Sequence, residues 1–159
     1  MRIGLIADTH DELVAWDEVL ARVAVAFDGV ELILHCGDLT TMRALDDLAG
    51  LAPVVAVRSD ADPPPAPPRL LDGPHVLDAG DVTIGLVNTL GDPPVVPAFG
   101  RDVEVVVHGG THTASVERRD GVLLVNPGSP SLAEACTVAV LTVEPSATGA
   151  EVLAVDAPG

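Results

Sequence analysis

Apolar positions along this chain fall into short runs, and over the first third those runs alternate with segments of helical spacing. Arg2 to Ala7 is one apolar run of strand length that stops at once on Asp8-Thr9-His10. Leu13, Trp16, Leu20, Val23 and Phe27 recur at steps of three and four, which predicts a one-sided helix. Asp11 is its expected cap, and Asp11 and Glu12 suit its positive end. Leu32 to His35 reads as a short buried strand, Thr41 to Leu48 as a helix stopped by Gly50, and Val54 to Val57 as the next strand. Such a βαβαβ opening predicts a parallel sheet whose functional edge lies at Asp8, Asp38 and Arg58 to Asp62.

Beyond residue 62 the pattern changes. Pro63 to Pro68 holds five prolines in six positions and is expected to form an extended loop at the rim. Strand-like runs follow at His75 to Asp78, Val82 to Asn88, Val103 to His108, Ala114 to Arg118, Val122 to Asn126 and Thr137 to Val143. A second proline-bearing loop spans Gly91 to Pro97, and Asp120-Gly121 suits a hairpin turn. With a strand-rich second half and no glycine-rich dinucleotide fingerprint, two facing mixed sheets flanked by helices fit better than a Rossmann sheet.

Composition narrows the class. At 159 residues, 48% hydrophobic and mean hydropathy +0.40, the chain is expected to form one domain over residues 1–159. Its formal charge is −16, and all eight basic residues are Arg. That balance predicts no nucleic-acid-binding surface and no attraction to anionic membrane. It fits either high-salt life or a lysine-poor codon bias. Cys36 and Cys136 are read as buried free thiols, the first strand leaves no room for a signal peptide, and no run reaches membrane-span length. A cytoplasmic location is the expectation.

The chemistry concentrates at strand ends. Asp8 and His10, Gly37-Asp38, and Thr111-His112 each punctuate an apolar run, so oxygen and imidazole ligands recur at three strand termini. One such triplet alone is as well explained by an Asp that caps the next helix. His35 and His75 are not favoured as ligands, since one lies within a strand and the other starts one.

These punctuations belong to longer blocks. Asp8-Thr9-His10, His35-Cys36-Gly37-Asp38, Val57 to Asp62, Gly109-Gly110-Thr111-His112 and Asn126-Pro127-Gly128-Ser129 resemble, in order, those of the small calcineurin-like metallophosphoesterases. The resemblance implies an α/β fold, a four-layer α-β-β-α sandwich of two mixed sheets with a metal centre at the strand ends. It implies a metal-dependent phosphoesterase, acting on a small phosphoester substrate and most plausibly on phosphodiesters. A related eukaryotic retromer subunit with that fold serves as an interaction scaffold, so a catalytically inactive scaffold with a structural metal is the alternative.

By the same resemblance, Asp8, His10, Asp38 and His112 are the ligands of a first metal. The second-metal positions read Asp38, Asp60, Asn88 and Gly110, so both expected histidines are missing. One tight site and one weak or empty site are therefore expected, for a divalent ion with Mn²⁺ placed first and Mg²⁺, Zn²⁺, Fe²⁺ or Ni²⁺ as alternatives. His108, two residues before Gly110, is read as a core or supporting histidine rather than a replacement ligand. Catalytic roles fall to the bridging Asp38, to Asp62 and to Arg58. Asp62 either orients a water or ligand or holds a turn, and Arg58 either meets substrate phosphate or pairs with nearby aspartates. Ala61 stands where larger relatives carry a leaving-group histidine, so substrates with good leaving groups are favoured.

Overall fold

The computed structural model describes residues 1–91 and 93–155. Asp92, within the second proline-bearing loop, lies outside them. In chain order the elements are β1 (Arg2–Ile6), α1 (Trp16–Ala26), β2 (Leu32–His35), α2 (Arg43–Leu48), β3 (Val54–Val57), β4 (Leu70–Leu71), β5 (His75–Ala79), β6 (Val82–Leu86), β7 (Val105–Val107), β8 (Ser115–Arg119), β9 (Val122–Asn126), β10 (Thr137–Glu144) and β11 (Ala147–Ala154). One sheet runs β11-β10-β1-β2-β3-β4 and the other β5-β6-β7-β9-β8. Strands β1 to β4 are mutually parallel, and so are β6, β7 and β9. Their carboxyl ends are where the expected ligands emerge.

The two-residue period of the strands sorts their side chains into layers. Ile3, Leu5 and Ala7 face the second sheet and meet Ile84, Leu86, Val105, Val107 and Val125 in a dry middle layer. Ile6, Ile33 and Val54 face the other way, onto Trp16, Val19, Val23 and Phe27 of the first helical segment and Leu45 and Leu48 of α2. Fully burying one such side chain contributes about 1.5–3 kcal/mol. Phe27 lies across the face of β1 at Gly4, where a Cβ would come 2.9 Å from the ring. Glycine is therefore needed there for close packing.

The first helix differs from its expected form. It starts at Trp16, and Leu13 is 67% exposed in the loop before it. Asp11 is buried and caps a different helix. Its carboxylate accepts hydrogen bonds from the Thr41 and Ala44 backbone N–H groups and from the hydroxyls of Thr40 and Thr41, at the entrance to α2. Long-range partners replaced the local cap that spacing suggested.

The outer face of the second sheet is covered without a helix among the described residues. Leu90, Phe99 and Val103 from the loop after β6 pack on Val106, Leu124 and Val122. The Phe99 ring sits so close to Gly85 that a Cβ there would be 2.6 Å away. Pro93, Pro94 and Pro97 explain the choice of a loop, because proline lacks the donor and the torsional freedom that a helix interior requires. Among the described residues, no helix is long and apolar enough to cross a membrane.

Candidate metal centre

The loops after β1 and β2 zip together before any side chain acts. Asp8 N donates to Gly37 O at 2.9 Å, His10 N to Asp38 O at 3.0 Å, and Asp11 N to Leu39 O at 3.1 Å. In this frame Asp8, His10 and Asp38 have φ of 55°, 44° and 59°, and His112 across the centre has φ of 62°. The six non-glycine residues with left-handed backbone among those described are these four, Thr40 and Asp120. Such a conformation costs on the order of 1–3 kcal/mol for a residue with a Cβ and persists only where surrounding bonds over-determine it. The four residues expected to hold one ion are thus all among the six held in strained backbone.

Their side chains converge, with one distinction. Ligating atoms of Asp8, His10 and His112 lie within 4.8 Å of one another. The Nε2 atoms of His10 and His112 face each other at 3.3 Å, with the rings edge to face. Asp38 joins through Asp8, whose carboxyl it contacts. Both oxygens of Asp8 also accept from Gly110 N, at 3.2 and 3.0 Å.

Electrostatics mark the carboxyl pair. Burial and the adjoining Asp38 push Asp8 up to about 7, against the pull of the Gly110 and His112 backbone N–H groups. Burial also opposes ionisation of Asp38, but the Ser59 hydroxyl, the adjoining Asp8 carboxyl, the field of His10 and the Asn88 amide outweigh it and hold Asp38 below the usual range. Burial lowers His10, which favours the neutral ring, the form in which an imidazole ligates a metal ion. The Ser59 hydroxyl lies toward Asp38 and is buried without a well-formed hydrogen bond among the described residues.

A layer of supporting side chains fixes these loops. His35, fully buried, accepts from Gly37 N at Nδ1 (2.9 Å) and meets the Thr9 hydroxyl at Nε2 (3.0 Å). Since Nδ1 accepts, the proton resides on Nε2 and the ring is neutral; burial lowers its pKa to about 4. Ser129 Oγ donates to Asp8 O at 2.8 Å and Ser131 Oγ to Thr9 O at 2.7 Å. Asn126 Nδ2 donates to Thr111 Oγ1, so the Asn-Pro-Gly-Ser turn braces both sides of the centre. Ser59, Ser131 and Asp11 were not singled out as site supports. Their signal is three-dimensional, because their partners are 21 to 122 residues away or depend on the loop's shape.

The remaining candidates are placed differently. Both oxygens of Asp62 are engaged by four backbone donors: Asp38 N, Ser59 N, Leu39 N and Thr40 N, at 2.8 to 3.2 Å. These bonds fit the turn-holding reading of Asp62, as a positioning residue. Arg58 donates to the Pro63 and Asp62 carbonyls and pairs with Asp72 at 3.3 Å, which favours its structural reading. Asp60 is exposed and lies outside the convergent group. Asn88 donates from Nδ2 to Cys36 O at 2.7 Å and adjoins Asp38. Gly110 contributes only its N–H. His108 is half-buried and lines a hollow on the outer face of the second sheet with Leu90, Pro94 and Glu117.

Residues 1–146 match the calcineurin-like phosphoesterase superfamily domain. The chain belongs to this superfamily. It is 36% identical over 142 residues to a protein of Methanocaldococcus jannaschii named "Probable metallophosphoesterase", covering 83% of this chain and 69% of that one. Among solved structures, an archaeal phosphodiesterase superposes with TM-score 0.71 at 22% identity, covering 96% of this chain and 100% of the other. Vps29 of Chaetomium thermophilum superposes with TM-score 0.72 at 19% identity, over 97% and 96% of the two chains. These structural likenesses establish the two-sheet calcineurin-like fold, and the superfamily match makes this chain a metallophosphoesterase-family protein.

Proposed function

We propose that the chain is a metal-dependent phosphoesterase acting on phosphodiesters, with one firmly held divalent ion and a weakened second position. The observation that carries this reading is the convergence of Asp8, His10 and His112, with the Asp38 carboxyl against that of Asp8, all four in left-handed backbone. The donor set fits a cation. Two carboxyls in contact repel unless a proton or a positive ion lies between them, and two imidazole nitrogens at 3.3 Å present lone pairs to the same space. Two oxygens and two imidazole nitrogens suit Mn²⁺, Fe²⁺ or Zn²⁺ better than Mg²⁺, and Mn²⁺ is our first choice.

When bound, a divalent ion supplies Lewis acidity toward the phosphoryl group and makes water acidic enough to attack. The chain's residues hold that chemistry in place. Asp8, His10, Asp38 and His112 are assigned as ligands, and Asp38 is the one common to both positions. Asp62 fixes the Asp38 loop through four amides, and His35 fixes Thr9 and Gly37. No side-chain acid stands at Ala61, which is exposed, so the leaving group departs with little help. Such help is worth roughly 10²–10⁴-fold. Slow hydrolysis, best with acidic leaving groups, is therefore expected.

The test is hydrolysis of an activated aryl phosphodiester by purified protein, with Mn²⁺ and after chelation. Metal-dependent turnover supports the reading, and Ala61→His should raise it. An equal background rate with metal and with chelator points to the second reading, an interaction scaffold retaining a structural ion. What favours that reading is Gly110, whose position offers no ligand side chain to a second ion.

A further inference from the structure

Of the hollows that adjoin the candidate centre, two draw part of their walls from its two halves, one from Asn88 and Asp60 and the other from His112. On the Asp38 side, Ser59, Asp60, Pro74 and Asn88 help to line a hollow of about 220 Å³. On the His112 side, Thr113, Glu134 and Ala135 help to line another of about 290 Å³. A phosphate ester centred between them can extend a substituent into each. A monoester has one substituent and leaves one hollow without an occupant, whereas a diester fills both. The hollows are no larger than the bottom of the roughly 300–1,000 Å³ range of small-molecule sites, so each suits a small alcohol.

Charge restricts those alcohols further. Each hollow carries one carboxylate, Asp60 on one side and Glu134 on the other. Arg58 is the cation along these walls, and its guanidinium already meets the Pro63 and Asp62 carbonyls and Asp72. The chain as a whole carries −16. A substituent bearing a second phosphate or a carboxylate would face these carboxylates with no free cation beside it. An amine-bearing substituent would face an opposite charge at Glu134.

We infer that the site takes phosphodiesters of two small alcohols that carry no further negative charge, one in each hollow, with a cationic alcohol preferred beside Glu134. This rests on the hydrolase reading above and adds the form of its substrate. Nothing here requires chemistry beyond hydrolysis: water's oxygen bonds to phosphorus, the ester oxygen leaves with the bonding pair, and a proton from water completes the alcohol.

The experiment uses the full chain with Mn²⁺ and three chromogenic esters: p-nitrophenyl phosphate, bis(p-nitrophenyl) phosphate and p-nitrophenyl phosphorylcholine. Ala135 and Glu134 are exposed, so their variants should fold, which circular-dichroism melting checks. Ala135→Trp fills one hollow and should lower the diester-to-monoester ratio of kcat/KM about tenfold, through lost positioning. Glu134→Gln should lower the ratio for the phosphorylcholine ester over the bis(p-nitrophenyl) ester about threefold, the range of one exposed charge pair. If both variants leave these ratios unchanged while wild type is active, the two-hollow assignment is overturned and the hydrolase reading stands. If wild type hydrolyses none of the three, both fall together.

Discussion

The two halves of the candidate centre share Asp38 and little else. On one half, Asp8, His10 and His112 bring ligating atoms within 4.8 Å from two strand-end loops, in strained backbone braced by long-range hydrogen bonds. On the other, Asp60 is exposed, Asn88 engages the Cys36 carbonyl, and Gly110 contributes an N–H to Asp8. The loops after β2 and β7 serve both halves, whereas Asp60 and Asn88 stand on loops of their own. Backbone frames place the positions, and side chains decide whether a position offers ligands to an ion.

The largest effect should come from the shared residue. Asp38→Asn removes the one anionic ligand common to both halves, and aryl diester hydrolysis should fall by about 10³-fold or more, to background. A variant retaining full metal-dependent turnover would break the comparison at its centre.

Asp60 and Asp62 offer a second contrast, two residues apart. Asp62→Ala leaves four backbone amides without their acceptor and should lower unfolding stability by about 3 kcal/mol, given roughly 1–3 kcal/mol per buried unsatisfied group. Asp60→Ala, at an exposed side chain, should change it by no more than about 0.5 kcal/mol. Urea unfolding of both variants reads the difference. Equal effects would show that the loop is not held as described.

Proton linkage sharpens the account of the strong half. Asp8, at about 7 in the folded chain against an ordinary 3.8, keeps a proton that the unfolded chain releases. Its contribution to stability is therefore present below about 4 and lost as pH rises towards 7. His35, at about 4 against 6.5, works in the opposite sense: its contribution is present above 6.5 and lost as pH falls towards 4. In metal-free protein the two oppose each other. Asp8→Asn should therefore expose the acid-side loss due to His35, on the order of a few kcal/mol between pH 6.5 and 4. An unchanged pH profile in that variant would remove Asp8 from the pair.

Restoring the weak half is the smallest and most specific change. Gly110 has φ of +91°, and a Cβ there would meet Thr89 at 3.0 Å. Gly110→His alone should destabilise by about 1–3 kcal/mol and add no second ion. Together with Thr89→Gly and Asn88→His it should raise metal content above that of wild type. A second ion gained from Gly110→His alone would show that Thr89 does not close the position.

Much of this arrangement was legible before any coordinates. The first-half ligands stand directly after apolar runs, so strand periodicity and residue chemistry together locate Asp8, Asp38 and His112 at one edge. The strand-rich second half points to two facing mixed sheets, and the resemblance of the five blocks adds the layered sandwich with its strand-end metal centre, because strand order is not a local property. What spacing missed has physical causes. Strand β11, Ala147 to Ala154, consists mostly of small and polar residues, with Val152 and Leu153 its large apolar ones, and carries a weak apolar signal. Strand β4 is two residues long, and its pairing with β3 is visible only in the sheet. Asp11 was assigned to the nearer helix, since sequence cannot reveal a cap reached from 30 residues away. Asp62 and Arg58 sit in a matching block, yet what each donates to or accepts from depends on how the loop closes.

The most direct test of the asymmetric centre is the metal content of purified protein, measured by inductively coupled plasma mass spectrometry and by calorimetric titration with Mn²⁺. The account predicts nearly one tightly held ion per chain, with a second bound only weakly. It also predicts that His112→Ala removes the tight ion. Two tightly held ions per chain, or tight binding that survives His112→Ala, would contradict it.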